Sequence, residues 1–325
     1  MPRVTVICGG VGAARFLRGL LQVTDPRDVT AVVNVGDDSV LHGLEISPDL
    51  DTITYTLAGA IDPERGWGLV DETWQAMEQV HRYAESAGID ARDETGNDAA
   101  GWFALGDRDL GTHLYRTSRR RAGVTLSQVT AEIVRAWGLD LRVLPATDDP
   151  VRTRLITTDG VELAFQEYFV REHHDVAVRS VHVEGTDRAR PAPGVLESIR
   201  DADVVVIAPS NPVVSIDPVL AVPGVSDAIT AARSRTVAIS PIVGGAALKG
   251  PADRLLRELG HESSVVSIAR WYAPLADVLV VDRVDAALAD QVEGEGLRCT
   301  VTPTIMSTPA DAAALARHCL DEVTP

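Results

Sequence analysis

The sequence predicts an α/β protein, a Rossmann-like three-layer α/β/α sandwich with a mainly parallel sheet and an inserted smaller α+β subdomain. Three observations lead there. The β-branched apolar runs at 4–8, 29–34, 203–208, 236–240, 279–282 and 298–302 are mostly continuous rather than alternating, as in strands buried on both faces. Segments with helical spacing separate most of them. Most of the runs also end in small or polar residues, which an open parallel sheet gathers at one edge as a ligand crevice.

The first unit is the most informative. Val4-Thr-Val-Ile-Cys8 meets Gly9-Gly10-Val-Gly12, and an amphipathic segment with Phe16, Leu17, Leu20 and Leu21 follows. This reads as strand, tight turn and helix. Glycines there let a ligand approach the backbone, and the N–H groups and dipole of a helix start favour phosphate oxygens. The dinucleotide fingerprint wants a third glycine where this chain has Arg15, and the Lys-Ser/Thr ending of a P-loop is missing. An ordinary βα turn explains the glycines equally well; Arg15 points toward an anion site.

A chain of 325 residues with 45% hydrophobic residues suits one large α/β domain, with or without an insertion. The formal charge of −17 argues against nonspecific binding to nucleic acid, so an anionic ligand must be met by local arginines or a metal. With no apolar run of the ~18 residues a membrane helix needs and no signal-peptide pattern, a cytoplasmic protein without a membrane partner is expected. Cys8, Cys299 and Cys319 are odd in number, lack a C-x-x-C pair and read as buried thiols.

The second run ends in Asn34-Val-Gly36-Asp37-Asp38, at the carboxyl end of an expected parallel strand. Such acids suit ribose hydroxyls or a hard divalent cation; the plain alternative makes Asp38 or Ser39 a helix cap. Ser47-Pro48-Asp49-Leu-Asp51 looks like a loop entering a helix. One aspartate is expected as N-cap, leaving the other, Asp51 or in the alternative Asp49, to join Asp37 in a Mg²⁺ site.

Gly66-Trp-Gly68 is a turn, 71–86 has helical spacing with His81 on the helix face, and 92–98 is a polar, turn-rich loop. The stretch from Trp102 through Gly106-Asp107-Arg108-Asp109 to Thr112-His113 packs aromatic, cationic, acidic and imidazole groups together, a density that marks either a site or a capped helix start. Arg116, Arg119, Arg120 and Arg121 close that helix and suit its C-terminal dipole. A further amphipathic helix is expected over 125–137. Short β-branched runs at 141–144, 152–157, 161–170 and 176–183 then suggest a small antiparallel sheet, which makes 106–190 the inserted subdomain and 1–105 with 191–325 the core. His173-His174 has no partner at metal-site spacing. Helices are expected over 251–259, 264–271, 286–292 and 309–322, and the strand-end loops there carry Pro209-Ser210-Asn211-Pro212 and Pro241-Ile-Val-Gly244-Gly245.

Taken together, Gly9-Gly10-Val-Gly12, Val33-Asn34-Val-Gly-Asp37-Asp38, Ser47-Pro-Asp49-Leu-Asp51-Thr52, Leu105-Gly-Asp107-Arg108-Asp109, Ala208-Pro-Ser210-Asn211-Pro212 and Ser240-Pro-Ile-Val-Gly244 resemble the CofD family, and its actinobacterial FbiA branch in particular. The resemblance runs in the same order over nearly the whole chain. It implies a Mg²⁺-dependent, usually dimeric transferase of coenzyme F₄₂₀ biosynthesis. Such enzymes move a phospholactate or phosphoenolpyruvate unit from a guanosine-diphosphate-activated donor to the ribityl hydroxyl of the deazaflavin Fo and release GMP. In the FbiA branch the donor is the enolpyruvyl form and the product dehydro-F₄₂₀-0. On this resemblance Asp51, Arg108 and Asp37 carry catalysis, Asp37, Asp51 and Asp49 hold Mg²⁺, and Gly9, Gly10, Gly12, Arg15, Asn34, Asp49, Asp107, His113, Ser210, Asn211 and Gly244 contact the substrates. The loop from Gly244 to Lys249 departs from the family after the shared Ser-Pro-Ile start and is assigned only a general guanosine or phosphate contact. A nucleotide-sugar-binding regulator of the gluconeogenesis-factor type is the alternative; it shares the glycine and Ser-Asn-Pro loops, and the motifs around Asp51 and Arg108 argue against it. A nicotinamide-dependent oxidoreductase rests on the glycine turn alone, with Arg15 against it.

Overall fold

In the computed structural model, residues 1–88 and 102–323 are described. The expected loop at 92–98 lies outside them. Seven strands form the central sheet: β1 (Val4–Cys8), β2 (Val29–Val33), β5 (Arg142–Pro145), β9 (Val204–Ile207), β10 (Thr236–Ile239), β13 (Val278–Val281) and β14 (Arg298–Val301). Their order is β14-β13-β10-β9-β1-β2-β5, and each neighbouring pair is parallel. The order reverses direction between β1 and β9, so the crevice beyond their carboxyl ends is the place for a ligand.

Alternation along the strands divides the core into two layers. Val4, Val6 and Cys8 of β1, with Val204, Val206, Val237 and Ile239, meet α1 (Gly10–Leu20), α2 (Pro48–Leu57), α5 (Leu126–Ala136) and α12 (Pro309–Asp321) on one face. Ile7, Val205, Ile207 and Ala238 meet α6 (Val195–Asp201), α8 (Val225–Ala231), α9 (Ala252–Glu258) and α10 (Val265–Tyr272) on the other. Burial on both faces accounts for the uninterrupted apolar strands. Three further helices, α3 (Gln75–Ser86), α4 (Asp107–Arg121) and α11 (Ala289–Gly294), and the short α7 (Asp217–Leu220) complete the set. Among the described residues no single helix is long and apolar enough to cross a membrane.

The small sheet is narrower than expected. β6 (Arg152–Thr157) lies between β7 (Glu162–Ala164) and β8 (Val178–Glu184), antiparallel to both. Residues 141–144 do not join it: β5 pairs in parallel with β2, because α5 brings the chain back to the sheet edge as any βα unit does. The segment 106–190 therefore shares a strand with the central sheet. The strand expected over 161–170 stops at Ala164 and turns into a π-helical turn, Glu167–Arg171, which stacks Phe165 on Phe169 with centroids 5.6 Å apart. Asp38 and Ser39 cap no helix; β3 (Ser39–Leu41) and β4 (Leu44–Ile46) form a hairpin there. The helix expected from 71 starts at Gln75, and the one expected over 286–292 is a 3-10 turn running into α11. Cys8 and Cys319 are buried and Cys299 is half-buried.

Candidate active site

A cleft of about 890 Å³ opens at the carboxyl edge of the sheet and is lined by the glycine loop, the 209–215 loop, the start of α2, α4 and several aromatic side chains. Its floor is bolted together by polar contacts. Ser210 Oγ accepts from Gly9 N–H at 3.4 Å and donates to Gly9 O at 2.7 Å, which ties the loop after β9 to the loop after β1. Asn211 Oδ1 accepts from Val213 N at 3.0 Å and caps the π-helical turn that follows. A Cβ at Gly12 would fall 2.3 Å from the Pro209 carbonyl oxygen, so this glycine is required by the chain's own close approach rather than by a ligand. Helix geometry leaves the first-turn N–H groups of Val11 and Gly12 without intrahelical acceptors, and Arg15 lines the cleft one turn on.

Asp49 is buried against this helix start, where Gly10 N–H and Asn34 Nδ2, the latter at 2.9 Å, donate to it. Asn34 is itself fully buried and outside the cleft wall: it also donates to Val214 O and accepts from Gly36 N–H, so its task is to hold Asp49 rather than to touch a substrate. Burial pushes Asp49 up to about 6. Asp37, also buried, is raised well above the usual carboxylate range by burial and then by the charge of Asp49, and its Oδ1 has no hydrogen-bond partner. Two buried, mutually repelling carboxylates with no cation of their own are a donor set for a hard divalent ion. Burial pushes neighbouring Asp38 up to about 7, although Ser47 Oγ donates to it at 2.8 Å. Neither Asp49 nor Asp51 is the N-cap of α2, since Ser47 holds that position and both aspartates lie in the first turn.

Asp51, expected as a metal ligand, is paired with a buried arginine. The Arg116 guanidinium, 1% exposed, binds it through both terminal nitrogens, with Nη1 3.1 Å from Oδ2. Burial alone would lower Arg116, but the Asp51 charge overrules it and the guanidinium is held in its charged form. Arg116 is therefore no dipole-facing terminal arginine; it points inward. Its Nη1 also donates to His113 Nδ1 at 3.2 Å, which leaves the ring proton on Nε2, 3.3 Å from Asp109 Oδ1. Tyr55 Oη donates to the same carboxylate oxygen at 2.7 Å. Burial would raise Asp109, yet His113 and Tyr55 hold it below the usual range. The ligand atoms of Asp51, Asp109 and His113 lie within 4.8 Å of one another, a spacing a metal could use, and Arg116 pairs with the Asp51 member of that group.

The Gly106-Asp107-Arg108-Asp109 motif divides its labour. Asp107 accepts from Gln75 N–H at 3.1 Å and Ala76 N–H at 3.0 Å, capping α3, while Glu72 accepts from Arg108 N–H at 2.8 Å and Asp109 N–H at 2.9 Å, capping α4. A Cβ at Gly106 would sit 2.2 Å from the Glu72 carboxyl carbon and would displace the carboxylate from the start of α4. Asp107 and Arg108 thus stand outside the cleft wall: Arg108 is exposed, and its Nη1 donates to the Val70 carbonyl. Asp109 is the member that reaches the cleft. Gly244 also stays out of the wall, with its N–H 2.9 Å from Asp285 Oδ2.

The structure brings together Gly9, Gly10, Gly12, Arg15, Asp37, Asp49, Asp51, His113, Ser210 and Asn211. Sequence reasoning missed Asp109 and Arg116, although Asp109, His113 and Arg116 recur at helical spacing on one face of α4. It also missed an aromatic wall. Trp67, Trp102, Phe103, Phe165 and Phe169 line the cleft, five of the nine Phe and Trp residues in the chain, and Arg65 lies 5.4 Å from the Trp67 ring centroid and 5.5 Å from that of Trp74. The scarcity of such residues elsewhere was the available signal.

A doubly wound parallel sheet with a glycine loop and a cleft at its switch point defines an open α/β ligand-binding protein. The family model described as 2-phospho-L-lactate transferase CofD matches residues 4–302, and the chain belongs to that transferase family. It is 45% identical over 323 residues to a phosphoenolpyruvate transferase from Streptomyces griseus, covering 98% of each chain. Similar relatives of the same name are those from Nocardia farcinica, 40% identical over 98% of this chain and 94% of that one, and Mycolicibacterium smegmatis, 39% identical over 98% of each. A solved UPF0052-family structure from Bacillus halodurans shares the fold with a TM-score of 0.62, at 18% identity over 98% of both chains.

Proposed function

We propose that this chain transfers the phosphoenolpyruvyl moiety of enolpyruvyl-2-diphospho-5'-guanosine to the ribityl hydroxyl of Fo, giving dehydro-F₄₂₀-0 and GMP. Relatives named phosphoenolpyruvate transferase favour this donor over the 2-phospholactyl one, which would give F₄₂₀-0. The observation that carries the reading is the meeting, in one cleft, of a helix start with open N–H groups, two carboxylates without a cation and an aromatic wall. The first serves a diphosphate, the second a Mg²⁺ ion and the third a planar deazaflavin.

Attack of a hydroxyl on a diphosphate phosphorus forms one P–O bond as the bond to GMP breaks, and it demands positioning and charge neutralisation more than covalent chemistry. Asp37 and Asp49 would hold Mg²⁺, with Asn34 fixing Asp49 in place. A Mg²⁺ ion supplies neutralisation of the phosphate oxygens. The N–H groups of Val11 and Gly12 and the Arg15 guanidinium bind the donor's phosphates, and Ser210 keeps their loop rigid. The Asp51–Arg116–His113–Asp109 chain offers fixed donors and acceptors to a polyhydroxyl tail. Arg108 acts at one remove, by holding the Val70 end of the loop that carries Arg65 and Trp67. The test is GMP release with donor, Fo and Mg²⁺ present together and each omitted in turn. Release that needs all three supports the reading; release indifferent to Fo would reduce the protein to a donor hydrolase.

A further inference from the structure

Of the 30 basic Lys and Arg residues in the chain, 29 are arginine, and the single lysine is Lys249. It follows β12 (Ala246–Ala247), which pairs with β11 (Ile242–Val243), and it lines the same cleft as the glycine loop. Among the described residues, neither Lys249 nor Arg15 has a hydrogen bond or ion pair, and both line the cleft. Arg65, by contrast, is committed to Asp62 at 2.9 Å and to the Leu69 carbonyl.

The Lys249 ammonium is also placed. A Cβ built on Gly66 would lie 3.1 Å from its Nζ, so the charge rests against the loop of Arg65, Gly66 and Trp67, which lines the same cleft. A compact ammonium with three donors on a flexible stem can follow an oxyanion whose charge moves as a P–O bond breaks, which a planar guanidinium fork does less well. We propose that Lys249 Nζ is an oxyanion hold for the phosphate-bearing donor, acting together with Arg15, the other cation of the cleft lining without an ion pair among the described residues. The ligand chemistry is a phosphate or carboxylate oxygen, supplied by the diphosphate or by the transferred acid. This rests on the reading of the cleft as a donor site.

Because Lys249 carries the chain's one side-chain amine, it can be observed alone. Reductive methylation with ¹³C-formaldehyde labels Lys249 and the N-terminal amine and keeps their charge, and Lys249→Arg identifies the lysine signal by removing it. The labelled protein with Mg²⁺ is titrated separately with GDP, with inorganic pyrophosphate and with phosphoenolpyruvate. A saturable shift of the lysine signal, with the N-terminal one unmoved, is expected with GDP and pyrophosphate if the diphosphate is the contact. A shift with phosphoenolpyruvate alone assigns the contact to the transferred acid and equally supports the hold. No shift with any of the three, at concentrations where tryptophan fluorescence shows the ligand bound, overturns it. Lys249→Met is exposed and should fold normally, weaken the responding anion at least tenfold and be partly rescued as Lys249→Arg; unchanged affinity also overturns the proposal. A lysine shift in a protein that makes no adduct with Fo would keep the hold and remove the transfer reaction, whereas transfer with unchanged donor KM in Lys249→Met would remove only the hold.

Discussion

Replacing Asp49 with asparagine should make the metal-free protein more stable, and the structure sets the size of the effect. Burial raises the Asp49 carboxyl from 3.8 to about 6 in the folded state. The folded protein therefore binds this proton more tightly than the unfolded chain, so stability is highest below pH ~4 with respect to this group and falls as pH rises to ~6. Two units at about 1.4 kcal/mol each come to roughly 3 kcal/mol lost at pH 7. Asparagine keeps the shape, its carbonyl oxygen can accept from Asn34 Nδ2 or from Gly10 N–H, and it has nothing to ionise. In chelator, urea unfolding of Asp49→Asn should lack the part of the pH 4–6 slope that wild type shows, and at pH 7 it should exceed wild type by up to about 3 kcal/mol. Mg²⁺ should then stabilise wild type at pH 7 more than at pH 5 and leave Asp49→Asn nearly untouched. Asp37 and Asp38 are shifted in the same direction, so the difference between the two proteins, not the wild-type slope, is the quantity to read. Equal slopes in the two proteins, or equal Mg²⁺ stabilisation, would refute the assignment of Asp49 to a cation site.

Arg116→Met should cost about 3–5 kcal/mol in unfolding free energy, because it strands the buried Asp51 carboxylate, and Asp51→Asn should also lose stability along with turnover; a stable Arg116→Met protein would contradict the buried pair. Arg108→Lys should fold normally and change turnover by no more than about fivefold, the worth of an exposed contact of ~0–1 kcal/mol. Steady-state kinetics with varied Fo checks this, and a loss beyond tenfold would mean the guanidinium touches substrate. Gly12→Ala should lower stability by roughly 1–3 kcal/mol through its clash with Pro209 O, even without any ligand; a loss of GDP affinity in an equally stable protein would return the effect to the phosphate.

The parallel sheet was legible because burial on both faces writes itself as continuous apolar runs, and the glycine and Ser-Asn loops were legible because strand ends collect at one edge. What stayed hidden depended on partners distant in sequence. Nothing within the Leu-Gly-Asp-Arg-Asp run says that Glu72 waits for its backbone, so Asp107 and Arg108 read as site residues when the first caps α3 and the second holds Val70. Asp51 likewise looked free until Arg116 arrived from 65 residues away. Residues 141–144 carried the same β-branched signal as the small sheet, and only the pairing with β2 separates them from it. Local propensity cannot choose between two sheets.

The proposed transfer is tested most directly by the mass of the product. Fo, Mg²⁺ and the enolpyruvyl guanylated donor are incubated with the protein, and the lactyl donor is run beside it. The prediction is a deazaflavin product heavier than Fo by one phosphoenolpyruvyl group, formed one-for-one with GMP and faster than with the lactyl donor. Unchanged Fo with both donors, in a protein shown to bind GDP, would contradict it.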